Sequence, residues 1–207
     1  MKIVTISREF GSGGRELGRY LADELGWTYY DKQIVSAIAQ ESELSEEYVA
    51  RAAERGLRGE YPFTVRRTLS YSGAPQSNAV KVLVAQQKVV RDIGARGEDC
   101  VIVGRGADVL LREKEPLNLF VYADLKSRLR RCRERAPEGE ELTDRELERA
   151  IRRVDAGRDR YHQLLTNSPW GRRESYHLCL NTTGLDLKAL TPWVAEYVRD
   201  WFGGGLR

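Results

Sequence analysis

The sequence predicts an α/β fold in which a parallel five-stranded sheet carries helices on both faces. Five short apolar segments alternate with segments of helical periodicity, and this alternation is typical of a doubly wound sheet. A glycine-rich turn at residues 11–14 joins the first apolar segment to the first helical one. The chain has 207 residues, 41% of them hydrophobic, which is enough to bury one substantial core. We therefore expect a single domain over residues 1–207.

The first two strands follow from the apolar pattern at the start of the chain. Residues 2–7 form a nearly continuous apolar run, which is typical of a parallel strand covered on both faces. The helix after it repeats leucine every four residues and ends at Gly26. A second strand is expected at residues 27–30, and a helical apolar face follows Asp31.

The segment between the second and third strands predicts helices around an irregular insertion. A helix begins at Ser45, followed by two glutamates, and Gly56 can end it. Residues 57–75 lack clear periodicity and are expected to form a loop or mobile insertion. Ser77 can cap a helix that runs to about residue 94, and residues 100–103 form the third strand.

The second half of the chain supplies two more strands and three helices. Strands are expected at residues 117–122 and 176–180. Thr143 and Glu146 have the spacing of a capping box, which predicts a charged helix that runs past residue 160. A final helix is expected over 186–202, where Thr191-Pro192 either kinks it or opens its main part.

The helix after the fourth strand has an unusual distribution of arginines. We expect its apolar face to consist of Leu125, Leu129 and Cys132. The opposite, polar face then carries five arginines, at positions 128, 130, 131, 133 and 135.

Composition excludes several classes of function. The formal net charge of +3 is only mildly basic and does not call for nucleic acid or an anionic membrane as a partner. The three cysteines, Cys100, Cys132 and Cys179, lack C-x-x-C spacing and predict neither a disulfide framework nor a zinc site. No apolar run approaches the length of a membrane span, and the first strand begins too early for a signal peptide. A cytoplasmic protein without nucleic-acid or membrane partners is expected.

Residues 3–18 have the form of a phosphate-binding loop that lacks its lysine. Helix N-termini attract phosphate because free N–H groups and the positive end of the helix dipole point outward, and glycines let the backbone wrap the anion. In the complete pattern, G-x-x-x-x-G-K-[ST], the lysine neutralises the phosphates and the hydroxyl meets Mg²⁺. Here Gly14 stands at the lysine position and is followed by Arg15 and Glu16.

The missing lysine leaves two interpretations open. Arg15 can bend back over the phosphates and replace the charge, although arginine and lysine differ in reach and geometry. Alternatively, Arg15 pairs with Glu16 or Glu9 on the surface, the backbone alone holds phosphate, and transfer is slow or absent. Ser12, Glu16 and water-mediated contacts are the candidates for binding Mg²⁺.

Further candidate residues fall at the ends of the predicted strands. Asp31 follows the second strand, Gly104-Arg105-Gly106 the third, and Asp124 the fourth. Because ligands of doubly wound sheets bind at the carboxyl ends of the strands, we expect these residues near the glycine loop. Asp31 can alternatively cap only the following helix.

Three other polar or aromatic residues are expected to be structural. His162 and His177 have no metal-ligand spacing, and Trp170 beside Gly171 is expected to anchor a loop rather than to stack on a base.

The chain resembles the cytidylate kinase-like branch of the nucleoside monophosphate kinases. Four ordered segments carry the resemblance: Ile-Ser-Arg-Glu-Phe-Gly-Ser-Gly-Gly-Arg-Glu, Trp-Thr-Tyr-Tyr-Asp-Lys, Val-Ile-Val-Gly-Arg-Gly and Leu-Cys-Leu-Asn-Thr-Thr-Gly-Leu. The resemblance implies a P-loop NTPase-type fold with an acceptor-binding helical insertion at about residues 41–95 and a lid at about residues 133–173. It also implies transfer of the γ-phosphoryl group of ATP, with Mg²⁺, to CMP or dCMP.

The resemblance assigns roles by position. The donor phosphates of ATP would be held by the loop residues Gly11, Ser12, Gly13, Gly14, Arg15 and Glu16. Asp31 would face the acceptor, and Arg105 would grip the acceptor phosphate. In the lid, Asp155 would touch the acceptor base or sugar, and Arg158 would bridge donor and acceptor phosphates. Arg15, Arg105 and Arg158 are thus the candidate catalytic residues.

One position departs from the family pattern. The arginine that cytidylate kinases place four residues before the lid aspartate is Ile151 here, and Arg152 or Arg153 are the candidates to replace it. Arginines that converge on a glycine loop nevertheless suit phosphoryl transfer, which depends on positioning and charge neutralisation more than on covalent chemistry.

Two other functions remain open at this point. The chain can be a P-loop kinase for another small acceptor, such as a nucleoside or a small acid, or a catalytically weak nucleotide-binding regulatory protein. A nucleic-acid binder that uses the arginines between 128 and 160 is disfavoured, because acidic residues rather than stacking aromatics are interleaved there.

Overall fold

A parallel five-stranded sheet forms the centre of the protein. The computed structural model describes residues 1–49, 78–136 and 142–205. The strand order is β2-β3-β1-β4-β5, and every neighbouring pair is parallel. The predicted fold class is therefore confirmed. The strands are β1 (Ile3–Arg8), β2 (Thr28–Tyr30), β3 (Cys100–Val103), β4 (Leu117–Tyr122) and β5 (Leu178–Asn181).

Helices connect these strands and cover both faces of the sheet. They are α1 (Gly14–Leu25), α2 (Lys32–Ser42), α3 (Asn78–Ala95), α4 (Ala107–Leu110), α5 (Leu125–Glu134), α6 (Asp144–Leu165) and α7 (Leu187–Gly203). Short 3₁₀ turns occupy Arg112–Lys114 and Arg173–Ser175, and residues 46–49 are also helical. No helix within the described residues combines the length and apolar content that a membrane span requires.

Two apolar cores lie on opposite faces of the sheet. Alternating residues of a strand point to opposite faces, so that Ile3 and Ile102 contribute to one core while Val4 and Val101 contribute to the other. The first core packs against α2, α3 and α4, and the second against α1 and α7. This two-sided burial explains why the strands read as continuous apolar runs.

The direction of winding changes at β1. The chain first places β2 and β3 on one side of β1 and then β4 and β5 on the other. In a sheet of this kind a cleft opens at the carboxyl end of the strand where the order reverses, and ligands bind there. The residues that follow β1, together with the last residue of β1 itself, Arg8, are therefore placed at this cleft.

Several local predictions are confirmed. The left-handed residue Gly26 (φ 68°) ends α1, and Thr143 and Glu146 form the predicted capping box at the start of α6. The expected helix end at Gly56, the loop or insertion at 57–75 and the cap at Ser77 lie outside the described residues.

One helix differs from the prediction, and the structure decides between two alternatives in another. The buried residues of α5 are Ser127, Arg128 and Arg131, so the expected division into an apolar inner face and an arginine-rich outer face is wrong. The two buried arginines hydrogen-bond to backbone carbonyl oxygens of neighbouring loops, which compensates for the loss of water. The expected final helix is confirmed as α7, and Pro192 lies inside it, so the alternative that Pro192 opens the main part of the helix is wrong.

Candidate active site

The glycine loop between β1 and α1 has a conformation that depends on glycine. Gly11 and Gly13 have positive φ angles of 78° and 86°, a region that other residues seldom adopt. Gly13 occupies the N-cap position of α1, and no side chain caps the helix there. The first N–H groups of α1 are thereby presented as an anion-binding helix N-terminus.

Two buried arginines of α5 hold the carbonyl groups of this loop. Arg128 donates from Nε to the Phe10 carbonyl oxygen at 2.7 Å, and Arg131 donates from Nη1 to the Ser12 carbonyl oxygen at 3.2 Å. The Thr182 hydroxyl donates to the same Ser12 oxygen at 2.7 Å. Because the N–H of a trans peptide points opposite to its carbonyl, these bonds turn the N–H groups of the next residues away from α5. Sequence periodicity gave no signal for this role of the arginines.

Asp31 and Arg15 are joined directly. The Arg15 Nε atom lies 2.8 Å from Asp31 Oδ2, and the Asp31 side chain is almost fully buried. Asp31 stands at the N-cap position of α2, but its side chain makes no capping hydrogen bond, so the alternative that it only caps the helix is wrong. The alternative that Arg15 pairs with Glu16 or Glu9 is wrong, because Glu16 pairs with Arg135 and Glu9 pairs with Arg128.

The turn after β3 holds Arg105 in a strained backbone conformation. Arg105 has a φ of 62° between Gly104 and Gly106, which have φ values of 73° and 67°. A non-glycine residue in this region is uncommon, and such strain often occurs at functional sites. The Arg105 Nη1 atom donates to Gln86 Oε1 at 3.4 Å, a contact from α3 that the sequence did not indicate.

Asp155 and Arg158 attach α6 to the glycine loop. Asp155 Oδ1 accepts from the Phe10 N–H at 2.8 Å, and Asp155 Oδ2 pairs with Arg128. Arg158 donates from Nη1 to the Arg8 carbonyl oxygen at 2.7 Å and lies 3.3 Å from Asp155 Oδ1. Its guanidinium also stands 5.7 Å from the centre of the Phe10 ring. The structure thus brings these two predicted lid residues to the glycine loop.

The site is crowded with positive charge. Burial and the guanidiniums of Arg15, Arg128 and Arg105 lower the pKa of Arg158 to about 10, although Asp155 opposes them. Burial and the nearby Arg158 likewise hold the pKa of Arg8 well below its ordinary value, with Asp31 opposing. Guanidiniums at the site outnumber the carboxylates, so an incoming polyanion would relieve their repulsion.

The two candidate Mg²⁺ ligands have partners within the protein. The Ser12 hydroxyl donates to the Glu9 carbonyl oxygen at 2.8 Å, and Glu16 accepts from the Tyr20 hydroxyl at 2.9 Å in addition to pairing with Arg135. No group of three or more metal-ligating side chains occurs within residues 1–49, 78–136 and 142–205. Mg²⁺ that arrives with a nucleotide keeps phosphate and water ligands, so one oxygen from the protein suffices. The loop fits this limited role.

The other lid positions lie away from the cleft or in the core. Ile151, at the position of the family arginine, is almost completely buried. Arg152 pairs with Glu148 at 2.7 Å on the exposed side of α6, and Arg153 is exposed. Trp170 packs edge-on against Phe120, with ring centres 5.3 Å apart, as expected of a loop anchor.

Both histidines make structural contacts. His162 Nδ1 lies 3.1 Å from the Ser168 carbonyl oxygen, and its Nε2 lies 3.6 Å from Asp108 Oδ2. His177 Nδ1 accepts from the Asn118 N–H at 2.9 Å.

Solved structures share this architecture at low sequence identity. An uncharacterized protein from Eubacterium ventriosum ATCC 27560 is 22% identical over 96% of this chain and 98% of that one, with a TM-score of 0.68. Shikimate kinase from Bacteroides thetaiotaomicron is 13% identical over 98% of both chains, with a TM-score of 0.58. Shikimate kinase from Acinetobacter baumannii, in complex with shikimate, is 14% identical over 100% of this chain and 96% of that one, with a TM-score of 0.53.

The sequence itself identifies the family. A comparison with curated protein sequences finds no significant match. In contrast, residues 3–184 match the cytidylate kinase-like family, and this range includes the glycine loop, the turn that holds Arg105, the whole of α6 and the whole sheet. The chain therefore belongs to the cytidylate kinase-like family and has the fold of a P-loop kinase.

Proposed function

We propose that the protein transfers the γ-phosphoryl group of ATP to a nucleoside monophosphate, with CMP or dCMP as the expected acceptor. The observation that supports this most directly is that Arg15 and Arg105, from two other elements, lie close enough to Arg158 for their guanidiniums to lower its pKa. Phosphoryl transfer places two highly charged substrates side by side, and such a cluster can neutralise both.

The reaction needs no covalent intermediate on the protein. A phosphate oxygen of the acceptor attacks the γ-phosphorus of ATP and forms the new P–O bond. The bond from that phosphorus to the oxygen bridging the β-phosphate breaks, and its electron pair leaves with ADP. The monophosphate becomes a diphosphate. Positioning of the two substrates and stabilisation of the transferring group are the contributions required of the residues.

The donor side of the proposed site is the loop from Gly11 to Glu16. Its N–H groups at the start of α1 would bind the donor phosphates, and Arg15 would add positive charge there. Mg²⁺, when bound with ATP, would neutralise phosphate charge, and Ser12 or Glu16 would hold it directly or through water.

The acceptor side is formed by Asp31, Arg105, Asp155 and Arg158. Asp31 would face the acceptor, while Arg105 would bind its phosphate. Asp155 would touch the base or sugar, and Arg158 would bridge the two phosphate chains. The ion pair between Arg15 and Asp31 supports this arrangement, because it links a donor-loop residue to an acceptor residue.

The decisive experiment is a transfer assay with several acceptors. The protein, ATP and Mg²⁺ are incubated separately with CMP, dCMP, UMP, AMP, GMP, a nucleoside and shikimate, and the products are separated by chromatography. ADP and the matching diphosphate should appear with CMP or dCMP. Product with the nucleoside or shikimate alone would replace the proposed acceptor class, and ATP binding without any product would favour a regulatory role.

A further inference from the structure

Arg8 fills the space that a lysine side chain would need at position 14. A Cβ atom built on Gly14 would lie 2.6 Å from Arg8 Cβ, 3.1 Å from Arg8 Cγ and 3.2 Å from Val121 Cβ. Contacts under 3 Å between such atoms do not occur without movement, and one of these groups is the fixed base of a side chain on the central strand. The absence of lysine at position 14 therefore follows from the presence of Arg8.

The Arg8 guanidinium reaches across the cleft to the turn after β3. A Cβ atom on Gly104 would lie 1.7 Å from Arg8 Nη1, so the guanidinium rests directly on the backbone of that turn. Gly104 and Gly14 thus leave room for the two ends of the same arginine side chain. Arg8 lies between the glycine loop and Arg105, at the end of the strand where the sheet order reverses.

Positive groups outnumber negative ones around the Arg8 guanidinium. The nearby guanidiniums of Arg158, Arg15 and Arg105 all disfavour its charge, and only Asp31 among the neighbouring groups favours it. The Arg8 side chain has neither a hydrogen bond nor an ion pair within the described residues. A guanidinium kept among others of the same sign is stabilised when an anion binds.

Arg15, the candidate from sequence, is placed differently. Its Nε atom is bonded to Asp31, and its side chain is 58% exposed. If the Arg15 guanidinium moved to the phosphates, the buried Asp31 carboxylate would lose this partner. Movement of the Arg8 side chain would break no ion pair among the described residues.

We propose that Arg8 binds the β- and γ-phosphates of ATP and supplies the charge that a lysine supplies in the usual loop. This assignment rests on the proposed use of ATP. It makes Arg8 the donor-binding residue that contacts the phosphates, while Arg15 contributes positive charge beside the loop and stays paired with Asp31. In this arrangement the positive charge at the phosphates is supplied by the last residue of β1, whereas the usual lysine supplies it from the first turn of α1.

Calorimetry of ATP and of tripolyphosphate, each with and without Mg²⁺, tests the proposal without any acceptor. Arg8→Ala should weaken binding of both ligands about 10- to 100-fold, the range for loss of a charged hydrogen bond. Arg8→Lys should recover part of the affinity. Arg130→Ala is the matched control, because Arg130 lies on the exposed side of α5 and pairs only loosely with Glu134.

A charge exchange gives a second, independent test. Gly14→Lys alone should lose stability and ATP affinity because the new side chain collides with Arg8. Combining it with Arg8→Gly removes the collision and returns a positive charge to the loop, so the double variant should bind ATP more tightly than Arg8→Gly. Thermal melting of every variant separates loss of folding from loss of binding.

The outcomes distinguish this proposal from the proposed function. ATP binding that survives in folded Arg8→Ala, or that is lost only in Arg15→Ala, would overturn the role of Arg8 and leave the kinase proposal standing. Binding that depends on Arg8 in a protein that phosphorylates no tested acceptor would support Arg8 and contradict the acceptor proposal. A wild-type protein that binds neither ligand would overturn both.

Discussion

Arginine side chains dominate the candidate site, and the differences between them lie in their contacts. Arg128 and Arg131 are buried and hold backbone carbonyl groups, so they shape the loop. Arg105 and Arg158 lie beside the cleft, where Arg105 donates to the Gln86 side chain and Arg158 donates to the Arg8 carbonyl oxygen. Arginines therefore have two different roles at this site: Arg128 and Arg131 are structural, whereas Arg105 and Arg158 have the proposed role toward the substrates.

Arg158→Ala should reduce turnover far more than it reduces ATP affinity. If Arg158 bridges the phosphates during transfer, its loss should lower kcat by about 10³-fold or more, as for other arginines that stabilise a transferring phosphoryl group. Steady-state kinetics and calorimetry measure the two quantities separately. Arg160→Ala, an exposed position on the same helix, is the control. Unchanged kcat in folded Arg158→Ala would place the bridging role elsewhere.

Variants at Arg105 can separate the cost of its left-handed backbone conformation from the function of its side chain. Arg105→Gly and Arg105→Ala remove the same guanidinium, but only glycine adopts a φ of 62° without strain. We expect Arg105→Gly to be more stable than Arg105→Ala by about 1 kcal/mol. Both should raise the KM for the acceptor similarly. Equal unfolding free energies in urea would show that the left-handed conformation costs nothing here.

At the scale of elements, α6 couples the lid segment to the glycine loop. The helix presents Asp155 and Arg158 to the loop and buries Ile151, Gly157 and His162 against the rest of the protein. Its first turn is separated from these anchors by two further turns and is held by the capping box and by the ion pair between Arg133 and Asp144. The start of α6 can therefore be perturbed without altering the site.

Thr143→Ala should destabilise the first turn of α6 without changing the site. Loss of an N-cap hydroxyl typically costs about 1 kcal/mol. Thr143→Ser keeps the hydroxyl and serves as the control. Hydrogen exchange of the first amides of α6 should quicken in the alanine variant only, with ATP affinity unchanged. Identical exchange in both variants would show that the observed hydrogen bonds contribute little.

Across the whole molecule, a buried histidine joins α6 to the central sheet. Burial alone lowers the pKa of His162, but Asp108, the Ser168 carbonyl and Asp159 outweigh it and raise the pKa above the ordinary 6.5. Asp108 also accepts from the Ser7 hydroxyl of β1 at 3.4 Å. Since both ring nitrogens face oxygen acceptors, the protonated ring fits its surroundings best.

The contribution of His162 to the stability of the protein should fall as the pH rises above 6.5. A raised pKa in the folded state means that His162 stabilises the fold fully below pH 6.5 and loses this contribution as pH rises through the folded value. Urea unfolding between pH 6 and 9 should show this decline. In His162→Gln the decline should be smaller, and a parallel decline in both proteins would contradict the assignment.

The sequence by itself determined the parallel α/β fold, the position of the glycine loop and the capping of α6. These features depend on local sequence patterns: apolar runs, a glycine-rich turn, and a threonine followed three residues later by a glutamate. The same patterns placed Asp31 and Arg105 near the glycine loop, because strand ends meet at one edge of a parallel sheet. Asp155 and Arg158, which lie within α6, were assigned from the family resemblance.

Only the tertiary structure decided which arginines are buried and what each one contacts. Arg128 and Arg131 bond to loop residues more than 100 positions earlier in the chain. Arg8 is packed between Gly14 and Gly104, which lie on different loops. Helical and strand periodicity assigns an arginine to solvent because an unpaired charge is costly to bury. Pairing with distant backbone oxygens, or with an anionic ligand, offsets that cost, and such partners become known only when the chain is folded.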